Sequence, residues 1–195
     1  GRAINVTFEI AEGPRVFVER IDITGNVRTR DSVIRREFRL VEGDAFNSAR
    51  LRRSRQRIQD LDFFQKVEVD EVPGSAPDKA VIKVAVEEKS TGQLSFGAGF
   101  SSAGGALLDA SIRERNLLGR GERLILRGDI GQMNQTDLNA LSYIASGTLR
   151  LPDLWMRDLD LRLDLGAVKE SLDAYDREAV TAGAVLERRF SERLA

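Results

Sequence analysis

The sequence predicts an α+β fold for the first half of the chain and antiparallel β-strands for the second half. Two observations support this division. Up to Lys89, strand-like alternation and helix-like spacing of apolar residues follow one another in the order β-α-α-β-β. From Gly92 onward the helical spacing disappears, and apolar residues alternate with polar residues or glycine.

Strand patterns open the first half of the chain. The first covers residues 4–10 and stops at Gly13 and Pro14, which are typical of a turn. The second, VFVERIDI, ends at Gly25 and Asn26. Its alternation predicts one apolar face, formed by Phe17, Ile21 and Ile23.

Two helices are predicted next. Thr29 suits the N-cap of the first helix, which should continue until Gly43 and its neighbours break the pattern. The second helix should begin at Asn47 or Ser48. The predicted apolar positions are Val33, Ile34 and Phe38 in the first helix and Leu51, Ile58 and Leu61 in the second. Two more strands follow, KVEVDEV and AVIKVAVEE, separated by the turn-rich connector PGSAPD.

Six alternating segments make up the second half. They lie near residues 92–100, 106–114, 122–131, 138–150, 159–168 and 178–189. The clearest is LDLRLDLGA, which predicts one hydrocarbon face and one charged face. The predicted connectors are SSAGG, RNLLGRG, MNQTD, LPDLWMRD and KESLDAYDR, so the strands should run up and down between the same two levels.

The alternation alone leaves two architectures open. A soluble antiparallel sandwich alternates in this way, and so does a membrane β-barrel. A membrane-spanning strand needs about 9–11 residues, whereas soluble strands average about 5–6. The segments here repeatedly approach the longer figure. In the membrane interpretation, the connector that contains Trp155 lies at the level of the lipid headgroups.

Composition excludes several classes of function. The net charge is -1, which does not favour nucleic acid as a partner. The chain has no His and no Cys, so it lacks the commonest general base and any thiolate metal ligand. No nucleotide or nucleophile motif is present, and we expect no catalytic residue, cofactor or metal. The arginine-rich run near residues 50–57 is interpreted as a solvated helix face, and Asp160 and Asp164 as part of a solvated barrel interior.

Several longer motifs resemble those of one protein family. They are the stretch VERIDITGNVRTRDSVIRREFRLVEGDAFN, the helix LRRSRQRIQDLDFFQKVEV, and LSFGAGFSSAGG followed by IRERNLLGRGERL. Together they resemble the BamA/TamA superfamily of outer-membrane assembly and translocation proteins. The first motifs look closer to BamA, whereas GERLILRGDIGQ and the segments after it look closer to TamA.

The resemblance implies a domain organisation. Residues 1–13 look like the end of a preceding POTRA module, residues 14–89 like the POTRA domain next to the barrel, and residues 90–195 like the first part of an outer-membrane β-barrel. Such a barrel has about sixteen strands. Six strands alone would leave unpaired backbone groups in hydrocarbon, so we expect this chain to be a fragment of a longer protein. The implied location is the bacterial outer membrane, with the POTRA domain in the periplasm.

Three candidate functional segments follow from the resemblance. The client-binding edge strand is Lys66, Val67, Glu68, Val69, Asp70, Glu71 and Val72. One side of a lateral barrel seam is Gly92, Gln93, Leu94, Ser95, Phe96, Gly97, Ala98, Gly99 and Phe100. The periplasmic turn is Asn116, Leu117, Leu118, Gly119, Arg120 and Gly121, whose glycines should supply unusual backbone angles. The two seam glycines either weaken the strand for opening or relieve curvature, and the resemblance favours opening.

The function implied is a non-enzymatic assembly factor that receives client β-strands at the POTRA edge and the seam. Its expected partners are unfolded outer-membrane proteins, accessory assembly lipoproteins or an inner-membrane partner, and the lipid bilayer, without nucleic acid. Two alternatives stay open. One is a POTRA-barrel secretion pore for a dedicated passenger, and the other is a soluble periplasmic binding module.

Overall fold

A computed structural model describes residues 15–101, 105–132, 141–172 and 175–188. The strand predicted at residues 4–10 lies outside this part. The first described unit contains β1 (Phe17–Thr24), α1 (Asp31–Arg35), α2 (Ser48–Asp60), β2 (Phe64–Pro73) and β3 (Lys79–Glu88). Its sheet has the order β1-β3-β2, with β1 parallel and β2 antiparallel to the central β3. The predicted order β-α-α-β-β is therefore confirmed.

The core of this unit joins the helices to the sheet. Ile34 of α1, Ile58 of α2 and Ile82 of β3 have no exposed surface. Asn47 caps α2, because its side chain accepts hydrogen bonds from the backbone N–H groups of Ala49 and Arg50. Of the stripe predicted for α2, Ile58 is buried and Leu51 and Leu61 are partly buried against the core, while Ser54, which was not predicted, is fully buried.

The first helix is shorter than its apolar spacing predicts. It ends at Arg35, and its N-cap is Arg30 rather than Thr29. The segment after it leaves the helix to run beside β1, where Gly43 N–H donates to Val18 O at 2.7 Å and Phe46 N–H to Val16 O at 2.7 Å. The residues directly after Arg35 form local turns instead of helix, with Glu37 N–H donating to Ile34 O and Phe38 N–H to Arg35 O at 3.1 Å each, and pairing with β1 begins only at Gly43.

A register shift in β1 also changes its predicted face. The pairing with β3 slips between Val18 and Arg20, so Val18 and Ile21 both enter the core. Phe17, predicted to be buried, is 40% exposed. Strict period-two alternation cannot reveal such a bulge.

The second half of the chain forms one antiparallel sheet. Its strands are β4 (Gly92–Ser101), β5 (Gly105–Leu117), β6 (Glu122–Gln132), β7 (Leu141–Leu151), β8 (Leu159–Leu172) and β9 (Tyr175–Arg188). They pair in sequence order, which confirms the predicted up-and-down arrangement. The predicted connector KESLDAYDR is wrong, because β8 and β9 extend into it from both sides and leave only residues 173–174 between them. The connector MNQTD lies outside the described residues.

The two faces of this sheet differ in chemistry. The register places Leu94, Ile112, Leu126, Gly147, Leu165 and Ala182 in one row of the apolar face. Large side chains on this face are uncovered, with Phe96 76% and Leu165 65% exposed. The opposite face carries ion pairs such as Arg150–Asp160 at 2.6 Å and Arg162–Asp164 at 3.0 Å. An uncovered apolar face and a polar face are typical of strands that border lipid on one side.

Among the described residues, no helix has the length and hydropathy that a membrane span requires.

Candidate functional site

The predicted client-binding strand forms one edge of the first sheet. Residues 66–72 belong to β2, which pairs with β3 on one side and with no strand of the described part on the other. Val67 is buried, whereas the neighbouring Lys66 and Glu68 are exposed. The opposite edge of the sheet is partly covered, because Ala45 forms a β-bridge with Phe17 of β1. The open edge is therefore the one on β2.

The predicted seam strand forms one edge of the six-stranded sheet. Residues 92–100 fall in β4, which pairs along its whole length with β5. Its apolar-face residues Leu94, Phe96 and Phe100 are largely exposed. Its other face carries Gln93, Ser95, Gly97 and Gly99. No strand within the described ranges pairs with the outer edge of β4.

The predicted turn joins β5 to β6 and contacts the first domain. Leu118, Gly119 and Gly121 have positive φ angles of 53°, 72° and 73°, so the expected unusual backbone angles are observed. A Cβ added at Gly119 would lie 2.0 Å from the carbonyl oxygen of Arg28. Glycine is needed here because the turn presses directly against the loop after β1. The two motifs ITGN and RNLLGRG, far apart in sequence, thus meet at the domain junction.

A buried asparagine fixes this contact. Asn116 Nδ2 donates to Thr29 Oγ1 at 2.9 Å, and Asn116 Oδ1 accepts from Gly121 N–H at 2.8 Å. Arg30 N–H also donates to the Gly119 carbonyl oxygen at 2.9 Å. Thr29 and Asn116 are 3% and 9% exposed. Thr29 therefore joins two domains instead of capping α1.

A carboxylate at the end of β3 holds the loop that receives the turn. Glu88 accepts hydrogen bonds from Arg28 N–H at 2.9 Å and Thr29 N–H at 2.7 Å. Burial acts to raise the pKa of Glu88, but the hydrogen bonds from Thr29 and Arg28 outweigh it and leave the pKa below the ordinary value. The ionised carboxylate thus orders the junction loop.

The turn between β7 and β8 makes a second contact with the first domain. Arg157 donates to the carbonyl oxygen of Arg36 and, at 2.7 Å, to that of Phe38, just after the C-terminus of α1. These carbonyl groups follow the last helical turn, where orphan acceptors occur. Arg36 Nε in turn lies 3.2 Å from Asp153 Oδ2 in the same turn between β7 and β8. Two turns of the sheet therefore dock on the loop–α1 side of the first domain.

The base of β4 is held by a third set of contacts. Asp62 lies between α2 and β2 with a positive φ of 61° and forms ion pairs with Lys89 in the linker and Arg115 in β5. The hydrogen bond from Lys89, aided by Arg115, lowers the pKa of Asp62. Thr91 Oγ1 donates to the Glu114 carboxylate beside them. The linker is thereby tied to both domains.

Sequence reasoning identified Asn116 and the glycines of the turn but missed their partners. It assigned no junction role to Thr29, Glu88, Asp62 or Arg157. Thr29 lies three residues after ITGN, and Asn116 lies just before the glycines of the turn. A polar residue next to such a loop motif is only a weak local signal that its side chain is buried and hydrogen-bonded. In the described part, no cluster of His, Asp or Glu has the arrangement of a metal site.

Comparison with known proteins places this geometry in a family. Residues 16–89 match the POTRA family model, described as "Surface antigen variable number repeat". The outer membrane protein assembly factor BamA of Neisseria meningitidis is 32% identical over 190 residues, which cover 94% of this chain and 23% of that protein. The same-named protein of Nitratidesulfovibrio vulgaris is 39% identical over 178 residues, covering 91% of this chain and 21% of that protein.

Solved structures show the same architecture. BamA from Haemophilus ducreyi lacking POTRA domains 1–3 superposes with a TM-score of 0.70 at 27% identity, covering 88% of this chain and 32% of that one. This chain has a POTRA domain and BamA-like barrel strands, the architecture of the BamA/TamA superfamily. CdiB from Acinetobacter baumannii, with a TM-score of 0.61 and 14% identity over 91% of this chain and 35% of that one, shares the fold.

The resemblance seen in the sequence is thereby confirmed, as is the fold class of a POTRA domain followed by antiparallel barrel strands. The chain spans about a fifth to a quarter of the length of the curated relatives, 21% and 23%. In BamA/TamA terms, the junction described above joins the POTRA domain to two turns at one end of the barrel strands.

Proposed function

We propose that this chain acts in the assembly of outer-membrane proteins, by receiving extended client segments at the β2 and β4 edges. Relatives named as outer membrane protein assembly factors match more than nine-tenths of its length, 94% and 91%. This observation carries the proposal. Within the described part of the chain, the two strands predicted to receive clients both lie at the edge of a sheet.

The β2 edge suits strand addition through the backbone. An incoming strand can pair with the main-chain groups of β2 while the buried Val67 continues to stabilise the POTRA core. The exposed Lys66, Glu68, Asp70 and Glu71 keep this edge soluble when no client is bound. The POTRA domain would then hold a client in extended form before it reaches the membrane.

The β4 edge suits strand exchange within the bilayer. An open strand edge in hydrocarbon is unfavourable by several kcal/mol per unpaired group, so any strand that pairs there gains a strong stabilisation. Gly97 and Gly99 weaken packing along β4 and favour opening at this position. The proposed sequence of events is capture at β2, pairing at β4 and release into the lipid. It uses no catalytic residue and no cofactor.

The proposal also assigns location and partners. The apolar face of β4 to β9 would contact the lipid of a bacterial outer membrane, and the POTRA domain would lie in the periplasm. The partners would be unfolded outer-membrane proteins together with accessory assembly lipoproteins or an inner-membrane partner. The boundary near residue 90 would then separate the periplasmic domain from the membrane-embedded strands.

A crosslinking experiment tests the proposal. Photo-crosslinking residues would replace Ser95 in β4 and Glu68 in β2 of the full-length protein in liposomes, with Arg127 in the middle of β6 as the control. We expect crosslinks to an unfolded outer-membrane client from both edges and none from β6, because β6 is paired on both sides. Ion conductance without any client crosslink would contradict the proposal and favour a secretion pore.

A further inference from the structure

An aspartate of β5 occupies the space above a glycine of the seam strand. Asp109 and Gly97 face each other across the β4–β5 pair. A Cβ added at Gly97 would lie 2.1 Å from Asp109 Oδ1 and 2.7 Å from its Cγ. The carboxylate of Asp109 therefore takes the place that a side chain at position 97 would fill.

The other side of Asp109 explains this position. Its partner in β6 is Asp129, and like charges directly opposite each other in a sheet repel. Arg127 faces Ser111, two residue pairs along on the same face, so it is a diagonal neighbour of Asp109, at a typical separation of about 7–8 Å. Within the described part of the chain, no residue forms a hydrogen bond or ion pair with Asp109. Among the described residues the carboxylate therefore has no cation beside it, and it lies toward β4.

The glycine brings this charge close to the open edge. A strand added to β4 would lie about 4.8 Å away, and its residue opposite Gly97 would have its Cβ about 4.5–5.5 Å from the Cβ position of residue 97. Asp109 Oδ1 is 2.1 Å from that same position. A Lys or Arg on the incoming strand can therefore reach the carboxylate across the glycine, although β4 separates the two residues.

We propose that Asp109 is a specificity-determining residue of the seam, which favours a client strand with Lys or Arg opposite Gly97 and disfavours Asp or Glu there. The occupant is a client strand that presents this residue on the polar face of the sheet, beside Ser95 and Gln93. This inference rests on the proposed function, because it requires client strands to pair with β4. Gly97 is a positioning residue, since it leaves the space through which the two charges meet.

The test uses disulfide exchange to fix the register. These 195 residues contain no Cys, so Ser95→Cys introduces a single thiol into β4 of the full-length protein in liposomes, with any other cysteine replaced. Strand-forming peptides carry one Cys to face position 95 and Lys, Gln or Glu two positions earlier, to face Gly97 in antiparallel pairing. The readout is the yield of mixed disulfide at equilibrium in a redox buffer.

We expect the yield to fall in the order Lys, Gln, Glu, with roughly two- to five-fold between successive peptides, the range of one partly exposed ion pair. Asp109→Asn should remove the preference, and Asp109→Lys should reverse it. Gly97→Ala keeps the carboxylate but fills the space above position 97, so it should also weaken the preference. Asp164→Asn, which removes a carboxylate of the same polar face in β8, three strands farther from the edge, is the matched control and should keep the order.

The outcomes separate this inference from the proposed function. If the three peptides react equally, or if the same order persists in Asp109→Asn, the inference fails while pairing at β4 stands. If Asp164→Asn abolishes the preference as fully as Asp109→Asn, general electrostatics replaces recognition by Asp109. If even the Gln peptide gives no disulfide in any variant, or only the protein's own strands react, pairing of clients at β4 fails, and the inference fails with it.

Discussion

Single residues decide how closely the two domains approach each other. Gly119 lies against the Arg28 carbonyl group, and Asn116 lies between Thr29 and Gly121. Neither residue contributes to a hydrophobic core. Their effect on stability therefore comes from steric fit and from buried hydrogen bonds.

Replacing Gly119 tests the steric part. Gly119→Ala should lower the melting temperature of the full-length protein in detergent and expose the linker to protease, because its Cβ would overlap the Arg28 carbonyl oxygen. Gly43→Ala is the matched control, since Gly43 also has a positive φ, 94°, but has no atom within 4 Å of the added Cβ. The free energy of unfolding of that control should fall by only about 1–2 kcal/mol, because of backbone strain. Equal losses in both variants would show that the close approach is unimportant.

Removing the hydrogen bond between Asn116 and Thr29 tests how much the buried polar contacts contribute to stability. Asn116→Ala leaves Thr29 Oγ1 without its donor and should destabilise the junction by about 1–3 kcal/mol. A double-mutant cycle with Thr29→Val, measured by chemical denaturation, should give a coupling energy of about 0.5–1.5 kcal/mol. Additive effects would mean that the two side chains act independently, in conflict with their 2.9 Å contact.

At the scale of elements, the junction consists of two turns of the large sheet, which contact a loop and a helix end of the POTRA domain. The β5–β6 turn holds the loop after β1, and the β7–β8 turn holds the residues that follow α1. Two separate contacts resist rotation better than one, so the POTRA domain should keep a fixed orientation relative to the strands. The end of β3 and the residue after it stabilise the POTRA side of the junction, because Glu88 binds the loop after β1 and Lys89 binds Asp62.

The second turn can be tested by a comparison of two arginines. Arg157→Ala removes the donor to the Arg36 and Phe38 carbonyl groups and should increase protease cleavage near residues 152–158 several-fold. Arg120→Ala in the first turn is the control, because Arg120 makes only a long 3.8 Å ion pair with Glu122. Limited proteolysis followed by mass spectrometry would measure both. Similar cleavage in the two variants would argue against docking by Arg157.

The carboxylate of Glu88 predicts a dependence on pH. Folding lowers its pKa from the ordinary value of 4.5, so its contribution to stability is complete above that value and is lost as pH falls through the lowered pKa. The protection of the Arg28 and Thr29 backbone amides against hydrogen exchange, relative to their intrinsic exchange rates at each pH, should therefore fall only in this acidic range. Glu88→Gln should accelerate exchange at pH 7 and remove most of the acid-induced change. An unchanged acid response in this variant would assign the effect to other carboxylates, with Asp62 as the next candidate.

At the scale of the whole molecule, the sequence predicted what depends on local spacing. The β-α-α-β-β order and the alternating strands follow from apolar periodicity, and LDLRLDLGA predicted the two faces of β8 correctly. The bulge in β1 was missed because it depends on pairing with β3, which is distant in the sequence, and the early end of α1 was missed because the apolar spacing continues past Arg35.

The contacts at the domain junction could not be predicted from local sequence patterns, because their partners are distant in the sequence. Thr29 and Asn116 are 87 residues apart, and Arg157 lies 121 residues from Arg36. A threonine before a helix is a good N-cap by local propensity, yet here the tertiary contact uses its hydroxyl group. The edge positions of β2 and β4 agree with the segments chosen by family resemblance, but their role in client binding stays a prediction.

Spin-label accessibility along β7 tests most directly whether the sheet borders lipid. Nitroxide labels at residues 143–150 of the full-length protein in liposomes would be probed with oxygen, which concentrates in hydrocarbon, and with a water-soluble nickel chelate. We expect oxygen accessibility to peak at positions 143, 145, 147 and 149 and nickel accessibility at the positions between them, following the two faces of the register. Labels shielded from both probes at the apolar positions, as in a packed soluble β-sandwich, would contradict the membrane assignment.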